Sequence, residues 1–182
     1  SATNVTSSAA TLNGTANANG LSTTAWFNYG ISSGSYTGTS TTQSLNGSSD
    51  TTVSISVSGL SSSITYYYRI AAQNSAGTSY GSEATFTTLN SAPVADAGMD
   101  QAITVVGTTV QLDGTQSYDP DGDDITYQWT FTSKPDGSNA SLESADTATP
   151  TFTADVHGDY IVQLVVNDAS VQSSPDTVTI SF

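Results

Sequence analysis

The feature that most constrains this chain is period-two alternation confined to short runs. In residues 66–72, YYYRIAA, an extended backbone places Tyr66, Tyr68 and Ile70 on one face and Tyr67, Arg69 and Ala71 on the other. Residues 53–57, VSISV, alternate in the same way, and residues 25–30, AWFNYG, add an aromatic run. No window sustains the 3.6-residue apolar period of an amphipathic helix. Gly, Asn, Asp and Ser interrupt the runs at sandwich-like spacing, so the expected class is all-β.

Charge divides the chain. Residues 1–90 hold Asp50, Glu83 and Arg69, a net of −1, whereas residues 91–182 hold 14 acids and Lys134, a net of −13. A step of this size marks a domain boundary, and LNSAP at residues 89–93 supplies a short polar joint closed by proline. A length of 182 residues suits two domains of about 90 residues each. The expected organisation is residues 1–89 as one sandwich, 90–93 as linker, and 94–182 as a strongly acidic second sandwich.

The first half resembles a fibronectin type III domain of the bacterial kind, on SAATLNGTANANG, AWFNYG, VSGLSSSITYYYRIAAQNSAGTSYG and EATFTT as successive strands. It departs in having Ser62-Ser63 where a Pro-Gly turn is common, and it lacks the arginine–glycine–aspartate adhesion tripeptide. Tyr66 follows Leu60 by six residues, the spacing of a tyrosine corner, in which the hydroxyl bonds back to upstream backbone. The second half is similar to a PKD domain, on APVADAGMDQAITVVGTTVQLDGTQSYDPDGDDITYQWTF and the closing strands GDYIVQLVVNDASVQSSPDTVTI. Many PKD domains follow the tryptophan with Phe-Gly-Asp-Gly, but Trp129 leads here into TFTSKPDG, so nothing attributed to that turn is carried over. The resemblance is to the chitinase-associated and surface-protein branch. Together the two imply tandem Ig-like β-sandwiches of a prokaryotic extracellular protein.

Residues 119–124, DPDGDD, put four carboxylates into six positions. An EF-hand is excluded, because Gly122 falls at loop position four instead of six and Thr130 occupies position twelve, where a bidentate Glu belongs. With residues 110–112 as strand B and 125–129 as strand C, the acids lie on the B–C loop, and Asn167-Asp168 opens the F–G loop at the same end of the sandwich. The linker enters there too. The expected cation ligands are Asp119, Asp121 and Asp123 or Asp124, joined from the neighbouring segments by Asp168, Asn90 and Ser91. Calcium suits such a set, taking six to eight hard oxygens at about 2.3–2.6 Å in irregular geometry. Some PKD relatives hold calcium near this loop, which supports the three loop positions. A cation there would stiffen the interdomain joint. The competing account is plain turn chemistry, Asp capping its own backbone and Gly supplying positive φ. Asp96, Asp100 and Asp113 read as solvated strand-edge charges.

Catalytic chemistry is not expected. The single histidine, His157, lies in a polar turn, and there is no cysteine, P-loop or GxGxxG. Two basic residues against 16 acids exclude nucleic acid as a partner and disfavour anionic membranes. No apolar run is long enough for membrane insertion, and no basic-then-apolar leader opens the chain. A start at Ser1 instead of Met is what removal of a leader would leave. Little lysine with abundant Ser, Thr, Asn and Gly fits a secreted or cell-surface, hence extracellular, location. Trp26 and Trp129 sit mid-strand and are expected in the cores, while Tyr36, Tyr67 and Tyr80 are scattered surface aromatics. Sequons occur at Asn4, Asn13, Asn46 and Asn139. The expected role is a non-catalytic spacer, adhesion or assembly module whose partners are proteins or further copies of itself. The rivals are a structural subunit of an extracellular filament or sheath, and an accessory carbohydrate-binding module of a polysaccharide-degrading enzyme.

Overall fold

The computed structural model describes residues 1–182. It is all-β, and no helix is long and apolar enough to cross a membrane. The chain forms two compact units, Ser1–Asn90 and Ser91–Phe182.

The first unit contains β1 (Ala9–Asn17), β2 (Thr23–Gly30), β3 (Gly38–Thr39), β4 (Gln43–Leu45), β5 (Asp50–Ser58), β6 (Thr65–Asn74), β7 (Gly77–Tyr80) and β8 (Ala84–Thr87). β1 and β5 pair antiparallel along their full length, and Thr3 bridges to Thr11 at the outer edge of β1. The opposing sheet runs β3-β2-β6-β7, with β4 on β2 and β8 on β6. Alternation writes the core directly. Val53, Ile55 and Val57 of β5 face inward, as do Thr23, Ala25 and Phe27 of β2 and Tyr66 and Tyr68 of β6. They close on Leu12, Leu45, Leu60 and Phe86, with Tyr66 stacked on Phe86 at 5.5 Å. Each large side chain so enclosed contributes about 1.5–3 kcal/mol relative to exposure. Tyr66 makes the expected corner, its hydroxyl accepting the Ser61 amide at 2.9 Å.

The phase of β2 corrects one expectation. Trp26 lies on the outward face, half-buried, opposite Ala71 of β6, while its neighbours Ala25 and Phe27 fill the core.

The second unit contains β9 (Gln101–Ala102), β10 (Thr109–Gln111), β11 (Thr126–Ser133), β12 (Thr151–Thr153), β13 (Tyr160–Asn167) and β14 (Asp176–Ser181). β10 pairs with β12, and the second sheet runs β11-β13-β14-β9. Its first segment changes sheets. Val94 bridges to Tyr118 beside the β10 sheet, whereas β9 joins β14 in parallel, with Gly98 at φ +77° in the crossover between. β13 alternates strictly, with Tyr160, Val162, Leu164 and Val166 buried against Trp129, Phe152, Val178 and Ile180. Trp129 is core here, as expected, and its indole N–H donates to Thr147 O at 3.0 Å. A second tyrosine corner, unexpected from sequence, closes this unit: the Tyr160 hydroxyl accepts from Val156 N at 2.9 Å and lies 2.8 Å from Val156 O.

Candidate functional site

Residues 119–124 fall on the connection between β10 and β11. The turn is built by its own acids. Asp119 Oδ1 accepts the amides of Asp121 at 2.7 Å and Asp123 at 3.3 Å. Gly122 N closes on Asp119 O at 3.2 Å, and Gly122 takes φ +81°. Asp121 Oδ2 accepts the Ser91 amide at 2.9 Å, which fastens the start of the second unit to the loop.

This arrangement brings carboxylate oxygens of Asp119, Asp121 and Asp123 within 4.8 Å of one another. Asp119 divides its labour: Oδ1 holds the turn, while Oδ2 is buried without a hydrogen-bond partner. A buried carboxylate oxygen left unpaired is costly, and a cation offsets that cost. The donor set is all hard oxygen, which fits calcium and not a soft or nitrogen-seeking metal.

The other expected ligands each have their own hydrogen bonding or exposure. Asp124 is exposed and outside the close set. Asp168 is buried, and its Oδ1 accepts the amides of Ser170 and Val171, both at 2.7 Å. Asn90 belongs to the first unit, where its Oδ1 accepts from Ser63 Oγ at 3.3 Å. Ser91 contributes its backbone N–H, as above, to Asp121.

Of the acids expected to be solvated edge charges, Asp100 and Asp113 are exposed and Asp96 is partly buried, and all three also accept backbone amides. Asp96 takes Gly98 N at 2.9 Å, Asp100 takes Thr179 N at 2.8 Å, and Asp113 takes Thr115 N at 3.0 Å. Asp176 takes Ala97 N at 2.7 Å, and Asp155 takes Asn139 N at 2.7 Å with Ser138 Oγ at 2.6 Å. The Thr115 hydroxyl and amide hold the Asp113 carboxyl below its usual range. The Ser138 hydroxyl, with the Asn139 amide and Tyr160 behind it, does the same for Asp155. Peptide N–H dipoles thus stand in for the basic residues the second unit lacks.

The first unit holds a cluster that sequence reasoning missed. The Arg69 guanidinium lies over the Tyr36 ring at 4.5 Å and the Tyr80 ring at 4.0 Å. Beside it, Glu83 accepts from Tyr36 OH at 2.5 Å, Gly34 N at 2.8 Å and Ser33 Oγ at 2.7 Å. The bond from Tyr36 lowers the Glu83 carboxyl and raises the Tyr36 phenol. Ala71 lies in register between Trp26 and Tyr80 and is fully buried. The tyrosines expected to be scattered are therefore gathered, Tyr36 and Tyr80, around one cation. Arg69 Nε and Asn28 Oδ1, opposite one another in register, are both buried without a partner. Such rings around guanidinium contribute about 0.5–1 kcal/mol each at exposed sites.

His157 is exposed, its ring 4.7 Å from that of Phe182.

Comparison with known proteins places the second unit. Residues 97–181 match the family model described as K319L-like, PKD domain. A stretch of 118 residues, 63% of the chain, is 30% identical to the human dyslexia-associated protein KIAA0319, covering 11% of it. The mouse dyslexia-associated protein KIAA0319-like protein is 35% identical over 89 residues, 48% of the chain and 8% of the relative. The chain thus spans about a tenth of the length of these relatives. Among solved structures, the solution structure of the PKD domain from KIAA 1837 protein is 33% identical, with TM-score 0.42, over 52% of this chain and 91% of that one. A nucleoside hydrolase-related hypothetical protein from Saccharophagus degradans, associated with carbohydrate metabolism, is 23% identical with TM-score 0.46, over 52% of this chain and 26% of that one.

Proposed function

We propose that this chain is a non-catalytic extracellular module for spacing, adhesion or assembly through protein contacts, and that its second unit takes calcium in the loop at residues 119–123. The observation that carries the calcium assignment is Asp119: one oxygen holds the turn, and the other is buried, unpaired and grouped with Asp121 and Asp123. The PKD match supports the module role for the second unit. For the first unit, the sheet of β1 and β5 opposite the sheet of β3, β2, β6 and β7, with the Tyr66 corner, supports the fibronectin type III assignment. The lysine-poor composition supports secretion by a prokaryote, while the two named curated relatives are mammalian.

Calcium would act on order more than on folding. At an extracellular level of about 1 mM and a Kd of about 10⁻⁴–10⁻³ M, binding adds only about 0.4–1.4 kcal/mol, against a total of about 5–15 kcal/mol. Its effect is to fix the loop and protect it from proteases.

A second role is favoured by the outward face of the first unit. Trp26, Tyr36, Arg69 and Tyr80 are the residue types that dominate contact hot spots, so a filament contact or a sugar-stacking surface would lie there.

Calcium titration calorimetry on the whole chain tests the metal assignment, with Asp119→Asn and Asp123→Asn alongside. Saturable binding lost in both variants is expected. No heat, with identical melting in calcium and in chelator, would remove calcium and leave a self-capped acidic turn. A monomer that persists at high concentration would count against the filament subunit, and wash-off from chitin and cellulose against the carbohydrate module.

A further inference from the structure

The dipeptide Asn-Gly occurs three times in the first unit, at Asn13-Gly14, Asn19-Gly20 and Asn46-Gly47. It is the most susceptible sequence for intramolecular deamidation, because glycine offers no side chain to block attack by its own amide nitrogen. The structure gives the three copies different fates.

Asn13 lies within β1, paired with Ser54 of β5, and Gly14 pairs with Val53. The Asn13 side-chain amide donates to Ser1 O, Thr3 Oγ1 and Thr11 O, and its carbonyl accepts from Ser54 Oγ. Gly14 packs closely on Ile70 and Phe27, where an added Cβ would lie at 3.1–3.3 Å, and the ladder to β5 holds the backbone of the pair extended. Asn19 is exposed but fixed at φ 49° in a turn closed by Leu21 N on Ala18 O. Its attacking group, Gly20 N, is already donated to Gly47 O at 2.7 Å. Asn46 differs from Asn13 in lying outside the strands and from Asn19 in its unengaged glycine nitrogen and the absence of a positive φ. It sits outside the strands in the β4–β5 connection, is exposed, and its side chain makes no hydrogen bond. Gly47 N donates to nothing, and Gly47 has φ +90° with open space around its Cα.

We propose that Asn46-Gly47 is a spontaneous modification site, the one copy of three that reacts in the folded protein. The Gly47 nitrogen, after giving its proton to solvent base, forms a bond to Asn46 Cγ, and the Cγ–Nδ2 bond breaks with release of ammonia. Water then opens the cyclic imide. Opening at Cγ leaves an ordinary aspartate at position 46, whereas opening at the main-chain carbonyl leaves the chain running through Cβ and Cγ as isoaspartate. The net change is loss of ammonia and gain of water, with one new negative charge. It falls on a unit whose own net charge is −1, beside Ser48 O and Asp50, which the Asn17 amide holds at 3.1 Å each. The isoaspartyl form also lengthens the backbone next to Gly47 O, the acceptor of Gly20 N. In a protein that persists outside the cell, this loop records age.

The test is to incubate the folded chain at mildly alkaline pH and map the ammonia-for-water mass change and isoaspartate by peptide analysis. The same incubation in denaturant is the control. Folded, position 46 should react faster than positions 13 and 19 by at least about tenfold, because the paired sites must open locally first. Denatured, all three should react at similar rates, and Asn46→Gln should abolish the change in the folded chain. Equal reactivity at the three sites when folded would overturn the proposal. So would an inert position 46 in a folded chain whose denatured form reacts there.

Discussion

Gly98 is the position where one atom decides the most. It sits at φ +77°, and a Cβ there would lie 2.8 Å from Asp113 O, a backbone atom with little freedom to retreat. Gly98→Ala therefore combines left-handed strain with a clash and should lower the stability of the second unit by about 2–4 kcal/mol in urea melts. Gly107→Ala has the same sign of φ, at +89°, but open space, and should cost only about 1 kcal/mol. Equal losses would show that the crossover does not depend on close approach. The two tryptophans make a parallel contrast. Trp129 is 2% exposed and should cost about 3–5 kcal/mol on truncation to Ala, whereas Trp26, on the outward face, should cost clearly less. That difference was not legible in sequence. Residues 25–28 carry apolar side chains in both phases of the alternation, Ala25 and Phe27 in one and Trp26 in the other. Size favours Trp26 for the core. The small partner Ala71 opposite Trp26, and the ring of Tyr68 5.9 Å from Phe27, settle the phase the other way, and both depend on a strand about 40 residues downstream.

At the scale of elements, each unit is closed by a tyrosine that returns to the backbone before it. The Tyr66 corner could be read from its spacing to Leu60. The Tyr160 corner could not, since its partner Val156 lies across an irregular polar turn with no such landmark. Tyr160 is fully buried, and its hydroxyl serves Val156 N, Val156 O and Asp155, whereas Tyr66 satisfies a single amide. Tyr160→Phe should therefore cost about 1–3 kcal/mol and Tyr66→Phe about 1 kcal/mol, measured by urea unfolding of the whole chain. A larger loss at Tyr66 would mean that the first-unit corner, and not the second, fastens its sandwich. The acidic loop was legible as a loop and as a cluster, because like charges at adjacent positions must share a neighbourhood. Which oxygen caps which amide was not, because that depends on side-chain torsions the pattern does not specify. The Tyr36–Arg69–Tyr80 contact was invisible for a different reason: its members come from three separate segments that only the sheet brings together.

For the molecule as a whole, charge is distributed so that acid should act unequally on the two units. Lowered carboxyls, Asp113 and Asp155, stabilise the second unit above the ordinary aspartate range, and that contribution disappears as pH falls through their depressed folded values. Acid also relieves repulsion among the 14 acids of that unit, which works in the opposite direction. Exposed repulsion is screened over about 8 Å at about 0.15 M salt, while hydrogen bonds to the capped backbone are not, so loss of the caps wins under those conditions. The first unit has the lowered carboxyl of Glu83 and few acids to protonate. Trp26 reports on the first unit and Trp129 on the second. Followed through Trp129 in a Trp26→Phe variant, the melting temperature should fall as pH drops from neutral into the range just below normal aspartate. Followed through Trp26 in a Trp129→Phe variant, it should fall less. Asp155→Asn should lower the neutral-pH melting temperature of the second unit and shrink its acid-induced fall, since part of the titrating difference between folded and unfolded states is gone. An acid-induced rise in the Trp129 transition would mean that repulsion outweighs the caps, and that the second unit is held together in spite of its aspartates instead of partly by them.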